Sequence, residues 1–226
     1  MAVPIPVRLF HITAIDNLNA ICQAGALLSK NRIAAVGVAY QNIAHGGAQG
    51  VRAAKHLPNP PGGAVHDFVP FYFAPRSPML SAIHAGKVTS CAVPQQDIVH
   101  FQTTAERVTA HGEPFVFYDR NATLAYSKPY TNLAQLDAVA WDLLTEQPRL
   151  DGFCKYFQNR HQEERYVDRM ERRMAEFLVR DRVPLNQFIR IGVCTPAKVD
   201  QVQAILDTAG VPLKVEMKTD WYFLGQ

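Results

Sequence analysis

The stretch "RRMAEFLV", residues 172 to 179, sets one glutamate, Glu176, between a cationic run and an apolar, strand-like run. In a strand, Glu176 and Leu178 share one face while Ala175, Phe177 and Val179 share the other, so the carboxylate leaves the main apolar face. Four arginines just upstream are expected to lower its pKa and keep it ionised. A fixed carboxylate at a strand start can stabilise a cation formed during a reaction; the structural alternative is a surface glutamate paired with an arginine. His11 has two readings as well: it binds a ribose hydroxyl from a strand end, or it is a half-buried histidine satisfied within the protein. In "PFYF", residues 70 to 73, Tyr72 points away from Phe71 and Phe73, so one face of that strand can reach a ligand while the other fills the core.

From 161 to 174, "HQEERYVDRMERRM" reads as one helix. At about 100° per residue, Arg165, Arg169, Arg172 and Arg173 cluster, Tyr166, Met170 and Met174 lie beside them, and Glu164, Asp168 and Glu171 lie opposite. Such a face could hold phosphates; an Asp168 to Arg172 pair at i,i+4 is the solvated alternative.

The elements that must position these residues follow from pattern. Val7 to Ile12 reads as a strand running into a helix, with Thr13 and Asp16 as a capping box, Leu18, Ile21 and Cys22 as an apolar stripe and Gly25 as the stop. The stretch from Asn31 to His56 is helix-like but diluted by Gly37, Gly46, Gly47 and Gly50, so a broken or mobile helix is expected. "LPNPPGG" is a loop and the best hinge candidate. An aromatic strand follows, then a turn at Pro75 and a short helix capped by Ser77, with Pro78 in its first turn and Gly86 as terminator. Val88 to Val93, Ile98 to Gln102 and Phe115 to Tyr118 are strand candidates. "TNLAQLDAVAWDLL" reads as a helix through Leu133, Leu136, Val139, Ala140, Leu143 and Leu144, with Trp141 adding core contact. "AEFLV" and "FIRIGVC" are strands, "AKVDQVQAILDTAG" is a helix ending at Gly210, and "PLKVEM" is the last strand. Short strands mixed with helices, without regular alternation, favour an α+β fold.

Composition sets the outer bounds. The 226 residues are 48% hydrophobic and 19% charged, ordinary for one globular domain spanning 1–226. A formal charge of +3 permits a nucleic-acid partner without demanding one. Cys22, Cys91, Cys154 and Cys194 form no C-x-x-C pair, which argues against a zinc site or a disulfide framework and for reduced thiols. No leader pattern and no apolar run of about 18 residues occurs, so a soluble, cytoplasmic protein with no membrane contact is expected. Dinucleotide-fold, P-loop and H-E-x-x-H motifs are absent, and no metal is expected.

Together, "LFHITAIDNL", "HDFVPFYFAPRSPML" and "RRMAEFLV" closely resemble the DarT family, bacterial toxins that attach ADP-ribose from NAD to thymidine in single-stranded DNA. The likeness runs from about Arg8 to Cys194. It implies an ADP-ribosyltransferase fold, a split mixed β-sheet core decorated with helices and holding NAD in its crevice. It places Glu176 as the catalytic glutamate, His11, Thr13 and Asn17 at the NAD site and Tyr72 near the nicotinamide. A helical element covering NAD supplies an arginine in the family, and "QGVR" offers Arg52. DarT-like sequences tend to carry a paired arginine there, whereas this chain reads "AHGGAQGVRAAKH". By the same resemblance the segment Asp151 to Met174 would correspond to the substrate-recognising loop, with Tyr156, Asn159 and Arg160 as candidate DNA contacts, joined by Arg165 and Arg169 of the arginine face.

The resemblance also implies chemistry. Breaking the nicotinamide–ribose bond puts positive charge on the anomeric carbon and ring oxygen, as in glycoside hydrolysis, and a fixed anion such as Glu176 stabilises it. Nicotinamide leaves neutral and needs no general acid, which accounts for a single carboxylate. The acceptor, the thymine imide nitrogen, is hidden in a duplex, so a single-stranded or extruded base is required. A DarG-type macrodomain antitoxin is the implied partner. A same-fold transferase acting on RNA or protein, and a non-catalytic nucleic-acid-binding module, are the competing expectations.

Overall fold

Runs of β-branched and aromatic residues bounded by turns become strands, and capped apolar stretches between them become helices. The computed structural model describes residues 2–44, 46–89, 91–146 and 156–223. In chain order these form β1 (Arg8–Ala14), α1 (Leu18–Ala24), β2 (Ala26–Leu28), α2 (Lys30–Val36), α3 (Gly46–Ala54), β3 (Phe68–Tyr72), α4 (Pro78–His84), β4 (Ile98–Thr104), α5 (Ala105–Val108), β5 (Phe115–Tyr118), β6 (Pro129–Tyr130), α6 (Trp141–Leu144), α7 (Arg169–Arg173), β7 (Glu176–Arg180), β8 (Arg182–Pro184), β9 (Arg190–Val193), α8 (Pro196–Thr208) and β10 (Val215–Met217).

Eight strands make one mixed sheet in the order β10-β9-β4-β1-β3-β7-β5-β6, in which only β9 and β10 run parallel; β2 and β8 pair separately. The sheet is split at its centre. β1 and β4 share a register of seven residue pairs, but β1 and β3 share one, Phe10 with Tyr72. There His11 Nδ1 donates to the Pro70 carbonyl at 2.8 Å, a side-chain bond in place of a ladder bond. The N–H and C=O of a strand residue point to the same side, so the donor that Pro70 lacks would have faced this divergence and no ladder bond is lost.

Alternation along β3, β5 and β7 divides the interior. Val69, Phe71, Phe117, Phe177 and Val179 enter the main core, while Phe68, Val116, Tyr118 and Leu178 form a smaller cluster with Leu57, Val65 and Ala122 on the other face. Glu176 shares that second face with Leu178, two residues on.

Several expectations are corrected. Thr13 caps no helix: it lies in β1, and a 3-10 turn, Ile15–Asn17, intervenes before α1. Val88 to Val93 holds no strand among its described residues; Val88 is buried and its carbonyl accepts from the Cys91 N–H in a turn. The stretch 131 to 144 is not one helix but a 3-10 turn, Leu133–Ala138, and α6, broken at Val139, whose backbone is extended. Trp141 Nε1 donates to the Leu136 carbonyl across that break at 2.7 Å, so the apolar side chains reach the core along a bent path. The stretch 161 to 174 likewise contains a 3-10 turn, Glu164–Tyr166, followed by α7 rather than a continuous helix. The broken helix after residue 30 is as expected: Gly37, at φ 69°, ends α2, while Gly46, Gly47 and Gly50 lie within α3. Asp151 and Cys154 lie outside the described residues.

Candidate active site

Glu176 opens β7 with its side chain on the smaller face of the sheet. The register sets Tyr72 of β3 beside it on one side and Tyr118 of β5 on the other. The carboxylate is buried, at 3% exposure, and all its polar contacts come from afar in sequence. Arg52 of α3 meets it in a fork, Nη1 to Oε1 at 3.0 Å and Nη2 to Oε2 at 2.9 Å. The Ala122 N–H donates to Oε1 at 2.7 Å. A bidentate, charge-assisted pair of this kind fixes direction as well as charge. The four upstream arginines contribute nothing to this contact; the arginine of the site comes from α3.

Burial opposes the charge on Arg52, but the Glu176 carboxylate more than compensates, and the guanidinium is held more firmly protonated than usual. Burial, then the Glu176 charge, raises the pKa of Tyr72 far above the ordinary phenol, so Tyr72 is a neutral hydrogen-bonding group. Tyr118 is raised to about 12 by the same two causes, and its hydroxyl has no hydrogen-bond partner among the described residues.

A cavity of about 390 Å³ opens in front of these groups, lined by His11, Thr13, Asn17, Arg52, Tyr72 and Glu176 together with apolar side chains from α1, α2 and α4. That volume lies in the range of sites for small ligands, roughly 300–1,000 Å³. Burial lowers the His11 pKa, and its bond to a carbonyl fixes the proton on Nδ1, which leaves Nε2 as an acceptor. Thr13 Oγ1 accepts from Asn17 Nδ2 at 2.9 Å and retains its own proton to donate. The second Asn17 amide hydrogen goes to the Gln41 carbonyl at 3.0 Å, and Asn17 Oδ1 accepts from the Gln41 N–H at 2.6 Å. Asn17 is thus spent on pinning the segment between α2 and α3 over the cavity. An acceptor, donors, a buried carboxylate and apolar walls fit a nucleotide carrying ribose hydroxyls and a flat ring.

Residues 10–223 match the family described as "ssDNA thymidine ADP-ribosyltransferase, DarT". This chain belongs to the DarT family. The DNA ADP-ribosyl transferase of Thermus aquaticus is 35% identical over 227 residues, covering 99% of this chain and 92% of that protein. Thermus sp. 2.9 DarT in complex with ADP-ribosylated ssDNA superposes with a TM-score of 0.86 at 32% identity, covering 99% of both chains. The same protein in complex with NAD+ gives a TM-score of 0.81 at 30% identity, covering 98% of this chain and all of that one. The α+β fold with a split mixed sheet is therefore that of DarT proteins.

In this DarT-family chain the residues proposed for DNA contact sort by exposure. Tyr156 is exposed, and its ring carries the Arg169 guanidinium 5.5 Å from its centroid. Arg160 and Arg165 are also exposed, paired with Glu163 at 3.5 Å and with Asp142 at 3.3 Å. Arg169 turns inward: it is 3% exposed, meets Glu146 at 2.7 Å and lies over Tyr166 as well as Tyr156. Asn159 holds its own loop, accepting from the Met170 N–H at 2.7 Å and donating to Glu171 at 3.1 Å. The expected arginine face thus does not exist as a surface, because the helix that would have created it is broken at 167–168 and Arg169 and Arg173 are buried. Arg173 donates instead to the Leu143 carbonyl at 2.5 Å.

Sequence reasoning missed Ala122 and Tyr118. Tyr118 was legible only as a strand residue, and a backbone N–H carries no side-chain signal. Among the described residues no group of three or more His, Cys, Asp or Glu could hold a metal, and no helix is long and apolar enough to cross a membrane.

Proposed function

We propose that this chain transfers ADP-ribose from NAD to thymidine bases of single-stranded DNA, with Glu176 as the catalytic carboxylate. The observation that supports it best is the buried Glu176 carboxylate, clamped by Arg52 and the Ala122 N–H at the wall of the same cavity that His11 and Tyr72 line. NAD supplies an ADP-ribosyl group whose anomeric carbon becomes cationic as neutral nicotinamide departs. Glu176, already paired with Arg52 and oriented, stabilises that charge without reorganising, and a preorganised contact of this type is worth on the order of 10²- to 10³-fold in rate. His11 Nε2 accepts from a ribose hydroxyl, Thr13 donates its hydroxyl proton, and Tyr72 packs by the departing ring. Asn17 positions the covering segment.

Arg52 cannot take the thymine imide proton while Glu176 holds its guanidinium charged. It stabilises the thymine anion instead, through N–H groups not engaged by the carboxylate, while the imide proton passes to solvent water. Tyr156, Arg160 and Arg165 form the exposed surface along which the strand runs, and Arg169 buttresses Tyr156 from beneath. Such chemistry makes the protein a toxin, and a macrodomain antitoxin of the DarG type is the partner proposed.

Mass spectrometry of thymine-containing and thymine-free oligodeoxynucleotides after incubation with the protein and NAD tests the reading. Only the thymine-containing strand should gain one ADP-ribosyl mass; labelling of RNA or protein alone would place the acceptor elsewhere.

A further inference from the structure

Lys30 at the first position of α2, Arg52 of α3 and His66 in the 3-10 turn Val65–Asp67 face the cavity beside Glu176 from three different elements. Arg52 is neutralised by Glu176. Lys30 is not: its ammonium donates to the neutral Gln49 Oε1 at 2.7 Å, and no described carboxylate pairs with it. His66 is 8% exposed, and its Nε2 is buried without a hydrogen-bond partner among the described residues. Burial, Lys30 and Arg52 lower the His66 pKa against the smaller opposing pull of Asp67; burial and then Arg52 lower that of Lys30. Asp67 makes no direct pair with either: its oxygens accept from the Ala64 N–H and from the Asn31 amide, both at 2.7 Å.

A half-buried ammonium with no carboxylate partner, set beside a buried and unused ring nitrogen, makes a place that an anion would complete. We propose that Lys30 and His66, together with Arg52, form a phosphate subsite in the wall of the cavity, completed by a phosphate group of a bound nucleotide substrate. The subsite rests on the reading that the cavity takes NAD and DNA, and deepens it. Two ammonium hydrogens of Lys30 remain to donate, and His66 Nε2 donates once protonated. A phosphate favours the imidazolium, so its arrival draws a proton onto His66. Phosphate of this kind comes either from the NAD pyrophosphate or from a phosphodiester beside the target base.

Titration calorimetry on the full chain near pH 7, in two buffers of different ionisation enthalpy, tests this with two probes: NAD, and a thymine-free oligodeoxynucleotide that cannot react. The wild type should take up part of a proton with one probe. That probe should bind roughly tenfold more weakly to Lys30→Met and to His66→Leu, the loss expected for one charge-assisted bond. Lys30→Arg should restore affinity, and His66→Leu should abolish the proton uptake. Weakened NAD binding assigns the subsite to pyrophosphate; weakened oligonucleotide binding assigns it to the DNA backbone. Folded variants that bind both probes as tightly as the wild type would overturn the subsite. Because binding rather than turnover is read, a wild type that fails to modify thymidine would sink the proposed function and leave this result legible.

Discussion

Arg52 and Glu176 stand 124 residues apart in the chain and meet in two parallel bonds of 3.0 and 2.9 Å, closing α3 over the sheet. α3 contributes no buried residue of its own, so this pair is a principal tie between the helix and the core. Removing one partner of a buried pair strands the other's charge. Arg52→Ala should therefore cost about 3 kcal/mol in urea unfolding, and adding Glu176→Gln should recover part of that loss. Arg52→Lys keeps charge but not the fork; it should retain measurable DNA modification, and an inactive yet folded and NAD-binding Lys variant would show that the fork itself is required.

Tyr156 is the exposed aromatic ring of the 156–173 segment, steadied by Arg169. Base-on-ring stacking is worth about 1–3 kcal/mol, so Tyr156→Ala should raise KM for the oligonucleotide roughly tenfold. KM for NAD and the melting temperature should stay unchanged. A parallel rise in KM for NAD would mean that the ring shapes the cofactor cavity instead.

Gly192 lies beneath Trp221, and a Cβ there would stand 2.3 Å from the indole. Trp221 is itself buried and packs edge-on against Phe10 at 5.0 Å, so it has no room to withdraw. Gly192→Ala should cost about 3 kcal/mol through overpacking, lowering Tm by roughly 6–12 °C at about 2–4 °C per kcal/mol for a chain of this size.

The strands β3, β5 and β7, the helix α8 and the outward turn of Glu176 were legible because alternation and capping are local signals. Tyr72 was separable from Phe71 and Phe73 for the same reason. The two broken helices were not legible: Leu133, Leu136, Leu143 and Leu144 carry helical spacing, although the backbone is extended at Val139 and the Trp141 bond to Leu136 spans the bend between them. The Arg52 fork and the Ala122 N–H are long-range contacts that no window of sequence contains. Arg169 looked like surface because its carboxylate partner, Glu146, lies 23 residues away.

His100 is fully buried, donates through Nε2 to the Pro75 carbonyl at 3.1 Å, and has its pKa lowered to about 3, chiefly by burial. A ring neutral when folded but able to charge when unfolded leaves stability unaffected above about pH 6.5. Stability is then lost progressively as pH falls from 6.5 towards 3, because the unfolded chain binds the extra proton. At pH 5 this amounts to on the order of 2 kcal/mol. Urea unfolding at pH 7 and pH 5 should show that loss in the wild type and a smaller pH difference in His100→Leu, whatever the variant's absolute stability.

The most direct test of Glu176 compares wild type, Glu176→Gln and Glu176→Ala for NAD binding by calorimetry and for ADP-ribosylation of a thymine-containing oligonucleotide by mass spectrometry. Both variants should bind NAD as the wild type does, while the modification rate falls by on the order of 10²- to 10³-fold or more. A Glu176→Gln enzyme that modifies the oligonucleotide at close to the wild-type rate would contradict the account.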